Sequence, residues 1–308
     1  MNNYTYLKQK LQEILDAWGE EINDDDVGCF HYLLEEYLDH LDSFKLYKYV
    51  KADYYNLRNL EKQRIYLSPS GTFNDVYEGL PVGKFENLSY EKLKALTDLA
   101  YISCFSERKD SLLMWSHYAN SHKGFCVEYD LKLLHFISED TYHYDDEEEY
   151  YDEEDCFAIE NIYPVIYSKK RMLNFETLKM IRKIELLGNN NQPVDDEGED
   201  YDRSILSKVL PMFVNNGSDW KYEREWRIIL TKEELDWIND YGNKKIANNT
   251  IPFKCVSGIY LGFRIDPEVK ENILEIAQRL QSKCGKINVY QAKLSDNEYK
   301  LKFEKIDI

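Results

Sequence analysis

No window of the chain approaches about 18 uninterrupted apolar residues, and the stretch from Met1 to Leu15 lacks the apolar core of a secretory leader. A spanning helix and an export signal are therefore not expected, and a cytoplasmic location is. No Gly-rich phosphate loop follows a strand-like segment, which weighs against a Rossmann or P-loop site. No internal repeat is visible. The six cysteines (29, 104, 126, 156, 255 and 284) are scattered, with no C-x-x-C pair and no histidine at ligand spacing. Cys104, Cys126 and Cys255 fall inside apolar runs, where a thiol acts as a small core residue. Reduced thiols and no metal site are the expectation.

Basic charge is scarce too: 39 Lys and Arg against 57 Asp and Glu give a formal charge of -18. The excess is local. Nine acids lie in residues 145–155 and six in 195–202, and without those fifteen the balance is -3. Nothing suggests a broad basic surface, so nucleic acid is expected only as a modified target. What the chain does have is 43% hydrophobic residues and 26 tyrosines, ample for a core and suited to sheet.

Apolar residues recur at helical spacing in residues 4–18 (Tyr4, Leu7, Leu11, Ile14, Leu15, Trp18) and 27–41 (Phe30, Leu33, Leu34, Tyr37, Leu38, Leu41). These helices make an N-terminal extension over 1–43, a surface for a protein partner or self-association. The body, 44–308, carries acidic insertions at 140–160 and 188–202. Strands are expected at 44–50, 64–68, 100–106, 124–130, 162–167, 220–230, 255–261 and 287–292. Helices are expected at 53–62, 89–98, 110–119, 169–187, 203–214, 232–238 and 267–283. Hairpin-length and crossover-length connections alternate, which predicts an α+β fold with a mixed, mainly antiparallel sheet flanked by helices.

The segment Trp220–Leu230 stands out. As a strand it sends Trp226, Ile228 and Leu230 to one face and Glu223, Glu225 and Arg227 to the other. Two carboxylates would then stand about 6.6 Å apart beside a guanidinium. Burying them is costly unless they are paired or used. A structural Glu–Arg pair is the simplest reading. Trp115 and Trp226 read first as core anchors, His117 as an ordinary helix residue, and Asn74, Asp75 and Glu78 as an Asx-type turn.

Taken in order, Phe73-Asn74-Asp75 with Glu78, Cys104-Phe105-Ser106, Met114-Trp115 with His117-Tyr118, and Glu223 with Glu225-Trp226-Arg227 resemble a bacterial family known only as domain of unknown function 2971. The resemblance covers roughly 44–265. Val76 stands where the family pattern has Pro, and the 140–160 acidic stretch looks like an insertion.

A more distant resemblance is to ADP-ribosyltransferases. It rests on Tyr47-Lys48-Tyr49, a helix, Tyr66-Leu67-Ser68, and the late Glu223-Arg224-Glu225. Lys48 replaces the usual Arg or His, and Ser68-Pro69-Ser70 replaces Ser-Thr-Ser. That likeness implies NAD as substrate and no metal, in a transferase or NAD glycohydrolase of the kind found in bacterial toxins and phage defence. Glu225 would stabilise the sugar cation and Glu223 would deprotonate an acceptor. Lys48, Tyr49, Tyr66, Ser68, Asn74, Trp115 and His117 would hold the cofactor. Two other readings compete: a non-enzymatic module that docks a partner through its acidic segments, and a metal-dependent nuclease or phosphoesterase using Asp75, Glu78, Glu223 and Glu225.

Overall fold

The computed structural model describes residues 3–17, 25–80, 100–140, 157–171, 210–240 and 249–308. Both acid runs, the helix expected at 89–98, the loop at 188–200 and most of the helices expected at 169–187 and 203–214 lie outside the described residues. The described strands are β1 (Lys45–Val50), β2 (Arg64–Tyr66), β3 (Ser68–Pro69), β4 (Tyr101–Ser106), β5 (Phe125–Asp130), β6 (Ile162–Pro164), β7 (Ile166–Ser168), β8 (Asn215–Gly217), β9 (Glu225–Leu230), β10 (Thr250–Pro252), β11 (Val256–Leu261), β12 (Asn288–Leu294) and β13 (Leu301–Ile306). The helices are α1 (Asn3–Ala17), α2 (Asp25–Asp39), α3 (Tyr54–Glu61), α4 (Leu112–His117), α5 (Leu131–Asp140), α6 (Phe157–Glu160), α7 (Lys232–Asp240) and α8 (Pro267–Cys284).

The main sheet runs β13-β12-β11-β5-β1-β4-β9-β6, with β3 beside β4. Its pairs are antiparallel except β11 with β12, so the α+β fold with a mixed, mainly antiparallel sheet is observed. Register separates two faces. One carries Leu46, Phe105, Val127, Trp226 and Ile228 into the large core, where α3 and α8 add Leu60, Ile273 and Leu280. On the other face, Tyr47, Tyr49, Cys126 and Tyr260 pack under Met114 and Trp115 of α4. Local capping agrees with these assignments. Asp53 accepts from the Asn56 amide at the start of α3, and Asp266 accepts from Glu268 and Val269 ahead of Pro267 in α8.

Helices α1 and α2 are the extension expected over 1–43, and their apolar faces belong to the body's core. Leu7, Leu11, Phe30, Leu34 and Leu38 are all essentially inaccessible. The Tyr4 ring lies 4.9 Å from Phe44 and 6.4 Å from Trp226, and its hydroxyl donates to the Lys45 carbonyl. The helices thus bury the faces that a separate docking unit would present.

Other departures have local causes. The strand expected at 64–68 breaks at Leu67, because β2 pairs with β10 while β3 pairs with β4. The strand expected at 162–167 breaks at Val165, whose amide donates to the Glu225 carbonyl. Residues 218–223 form a 3-10 turn instead of extending β9, and Arg224 sits in the left-handed region at φ 47°. A second left-handed run, Asn120-Ser121-His122, links α4 to β5. It ends at Gly124, where a Cβ would lie 2.1 Å from the Val50 carbonyl oxygen, so only glycine fits.

Placing the N-terminal helices in the main core has a measurable consequence. Leu11→Ala should cost about 2–5 kcal/mol, the usual range for a buried leucine, and should shift the single unfolding transition seen by circular dichroism. A separate low-temperature transition with the main one unmoved would show that the helices melt on their own.

Candidate active site

Polar residues fall into two rows across the face of the sheet opposite the main core. Pairing registers put Gly258, Glu128, Tyr47, Ser106 and Glu225 in one row; the next has Tyr260, Cys126 and Tyr49 on one side of the β1–β4 seam and Cys104 and Arg227 on the other. At one end Glu128, buried, accepts from Lys45 at 2.8 Å, Tyr260 at 2.7 Å and Ser257 at 2.9 Å. Burial works against its charge, but these donors hold its carboxyl below the usual range.

At the other end Arg227, 2% exposed, is the hub. Its Nη1 and Nη2 take both Glu78 oxygens at 2.6 and 3.0 Å, Nη2 also reaches Glu225 Oε2 at 3.0 Å, and Nη1 donates to the Phe213 carbonyl. The Phe73 ring lies 5.6 Å from the guanidinium carbon. Arg227 Nε finds no acceptor among the described residues. Burial opposes the Arg227 charge, but Glu225 and Glu78 outweigh it and keep the guanidinium well above its ordinary pKa. Burial also pushes the Glu78 carboxyl up, against the pull of Arg227.

Glu223 approaches the same end from the turn. Its carboxylate accepts from the Tyr118 hydroxyl at 2.6 Å, and its carbonyl accepts from Ser106 Oγ. The left-handed Arg224 bends the chain between Glu223 and Glu225, and the Arg224 carbonyl accepts from the Glu107 amide. Desolvation first, then the neighbouring Glu225, raises Glu223 to about 7, against the lowering pull of Tyr118, Arg227 and Tyr222. The two carboxylates therefore meet different surroundings: a guanidinium holds Glu225, and a phenol faces Glu223. Tyr167 completes the corner, its hydroxyl oxygen accepting from the Glu225 amide at 2.9 Å.

Of the residues expected to form a site, Glu223 and Glu225 come together; Lys48 feels the charge of Glu225 but makes its hydrogen bonds elsewhere, and the others lie apart. Lys48 is one position out of phase. Tyr47, not Lys48, shares the row of Ser106 and Glu225, while the Lys48 amine bonds Ser103 Oγ at 2.8 Å and the Cys104 carbonyl at 3.1 Å, over the Phe105 ring. It bridges a split in the sheet, since β1 makes six register pairs with β5 but one with β4. Buried surroundings pull its pKa down. Tyr49 packs edge-to-face on Trp115, which is fully buried with its indole nitrogen on the Lys109 carbonyl. Ser68 pairs with Ile102, four residues along β4 from Ser106, and the exposed Tyr66 belongs to the separate β2–β10 ladder. His117 and Asn74 are exposed. The Asx turn is observed: Asp75 Oδ1 accepts from the Tyr77 amide at 2.9 Å.

Sequence reasoning missed Glu78 as a partner of Arg227, and Tyr118 as the partner of Glu223. A buried arginine on an inward strand position demands carboxylates, and that requirement was the available signal for Glu78. Glu78 and Glu225 do meet, as a two-carboxylate metal site would require, but around a guanidinium that stands where a cation would sit. Beyond Glu78 opens a cavity of about 460 Å³, walled by the 75–80 loop, the 168–171 turn and the segment ending at Trp220.

Residues 114–228 match the family model described as protein of unknown function (DUF2971). The matched span contains Met114-Trp115 with His117-Tyr118, and Glu223 with Glu225-Trp226-Arg227, so the family resemblance is supported there. Phe73-Asn74-Asp75 and Cys104-Phe105-Ser106 lie before it. No curated protein and no solved structure matches the chain.

Two measurements probe the electrostatics. Arg227→Met leaves Glu78 and Glu225 buried without a counter-charge, so it should cost about 3–5 kcal/mol near neutral pH. That cost should shrink in acid, where the carboxyls protonate. Glu223, raised from 4.5 to about 7, gives stability that is full below the unfolded value and lost as pH rises through 7. Glu223→Gln, neutral at every pH, should therefore melt higher than wild type at pH 8 and at the same temperature near pH 4.5.

Proposed function

We propose that the chain breaks the glycosidic bond of NAD or a related nucleotide, either transferring the ADP-ribosyl group to an acceptor or releasing it to water. Breaking a nicotinamide–ribose bond builds positive charge on the sugar, and a fixed carboxylate lowers that barrier. Glu225 takes this role, because the Arg227 fork fixes its orientation. Glu223, with a carboxyl near neutrality, is suited to take a proton from the acceptor or water. The observation that carries the reading is this pair of adjacent carboxylates in unlike surroundings, the arrangement that separates stabiliser from base. Lys48 and Trp115 have no part in it, being committed to the sheet and the core. The acceptor is a protein, a nucleic acid or water.

One observation favours a second reading, a binding module without turnover: Glu223 and Glu225 are only 6% and 4% exposed. Incubation with NAD decides between them. The enzyme reading expects nicotinamide release by wild type and at least a hundredfold loss in Glu225→Gln, which keeps an acceptor for Arg227 and the native circular dichroism. Saturable NAD binding with no nicotinamide release and no labelled product in cell extract would leave the module.

A further inference from the structure

The cavity beside Glu78 has the chemistry of a phosphate-and-ring site. One wall carries Tyr77 and Glu78, a second Lys169 and Lys170, and a third Asn216, Asp219 and Trp220. Its volume of about 460 Å³ falls within the range of small-molecule sites. Lys169 and Lys170 are exposed, and neither amine has a carboxylate partner among the described residues. Arg171 fastens the first two walls together, lying over the Tyr77 ring and donating to the Leu80 carbonyl. Trp220 is half-buried, so its indole is both held and available.

We infer that this cavity binds a nucleoside phosphate, with its base on Trp220, its sugar hydroxyls at Asp219 and Asn216, and its phosphate at Lys169 and Lys170. Stacking on a held indole tolerates any base, since every base has a π face. A pair of ammonium groups with no carboxylate partner among the described residues suits a phosphate, and a carboxylate beside them suits the sugar hydroxyls. Glu78 lines the cavity and also holds Arg227, so an occupant lies one guanidinium away from Glu225. That link to Glu225 rests on the glycosyl-transfer reading; the choice of ligand does not.

Calorimetric titration of the full chain with adenosine 5′-monophosphate tests this without turnover. Saturable binding is expected, weakened at least tenfold in Trp220→Ala and restored by Trp220→Phe. Lys169→Ala with Lys170→Ala should weaken it by at least tenfold and flatten its salt dependence, and adenosine should bind more weakly than the monophosphate. Circular dichroism checks that each variant is folded. No saturable binding at millimolar ligand, equal affinity for adenosine, or affinity unchanged in both sets of variants would overturn the assignment. Binding that follows this pattern without nicotinamide release from NAD would keep the site and remove the proposed reaction. Nicotinamide release untouched by variants that lose the monophosphate would keep both the site and the reaction and remove the link between them.

Discussion

The guanidinium of Arg227 is the contact on which this end of the molecule depends. It is buried near one edge of the β-sheet, where an unpaired charge is prohibitive, and so it dictates the position of everything that compensates it. Glu78 must come in from a loop 149 residues away in sequence, Glu225 must lie two positions back on the same strand, and the Phe213 carbonyl must point inward. Three chain segments are thereby brought to one point. Such a cluster adds little net stability compared with a well-packed apolar core, since desolvation offsets most of the attraction. Its consequence is placement: it fixes Glu225 and one wall of the cavity in a defined geometry.

That placement explains how a sheet with mostly apolar strands also carries a polar face. Along the row of Glu128, Tyr47, Ser106 and Glu225, each acid is met by a different set of donors. Lys45, Ser257 and Tyr260 surround Glu128 and hold it charged, whereas desolvation and the charge of Glu225 raise Glu223 to about 7 against the pull of its phenol donors. The same chemical group thus has two ionisation behaviours within one face. The left-handed Arg224 makes the second possible, because it lets the chain double back and bring Glu223 beside Glu225 instead of continuing the strand. Ordinary residues in that region carry strain of about 1–2 kcal/mol, and the Glu107 amide on the Arg224 carbonyl helps to hold it.

Much of the architecture was legible in the sequence where the pattern was strong. The apolar alternation of Trp226, Ile228 and Leu230 identified a buried strand and its inward face, and the helical spacing of Leu7, Leu11, Phe30 and Leu34 identified α1 and α2. Elements without a local boundary signal were missed. α5 follows β5 directly, and its one cue was Asp130, whose carboxylate caps the Lys132 amide while also accepting from the Phe44 amide. β13 hides a weak alternation among charged residues near the chain end. Within the site, the carboxylate pair was legible because it is local, but Glu78 was not, since nothing in its own neighbourhood indicates a partner so distant. Lys48 failed for the opposite reason: a one-residue phase difference on a strand moves a side chain to the other face, and Tyr47 occupies the position that the lysine was expected to hold.

Arg227 couples the 75–80 loop to β9. A double-mutant cycle in denaturant, with Glu78→Gln, Arg227→Met and the double variant, measures that coupling directly. An interaction of about 1.5 kcal/mol or more is expected, within the range for residues sharing one buried network. Additive effects, with an interaction near zero, would contradict it and reduce the contact to a loop resting against a strand.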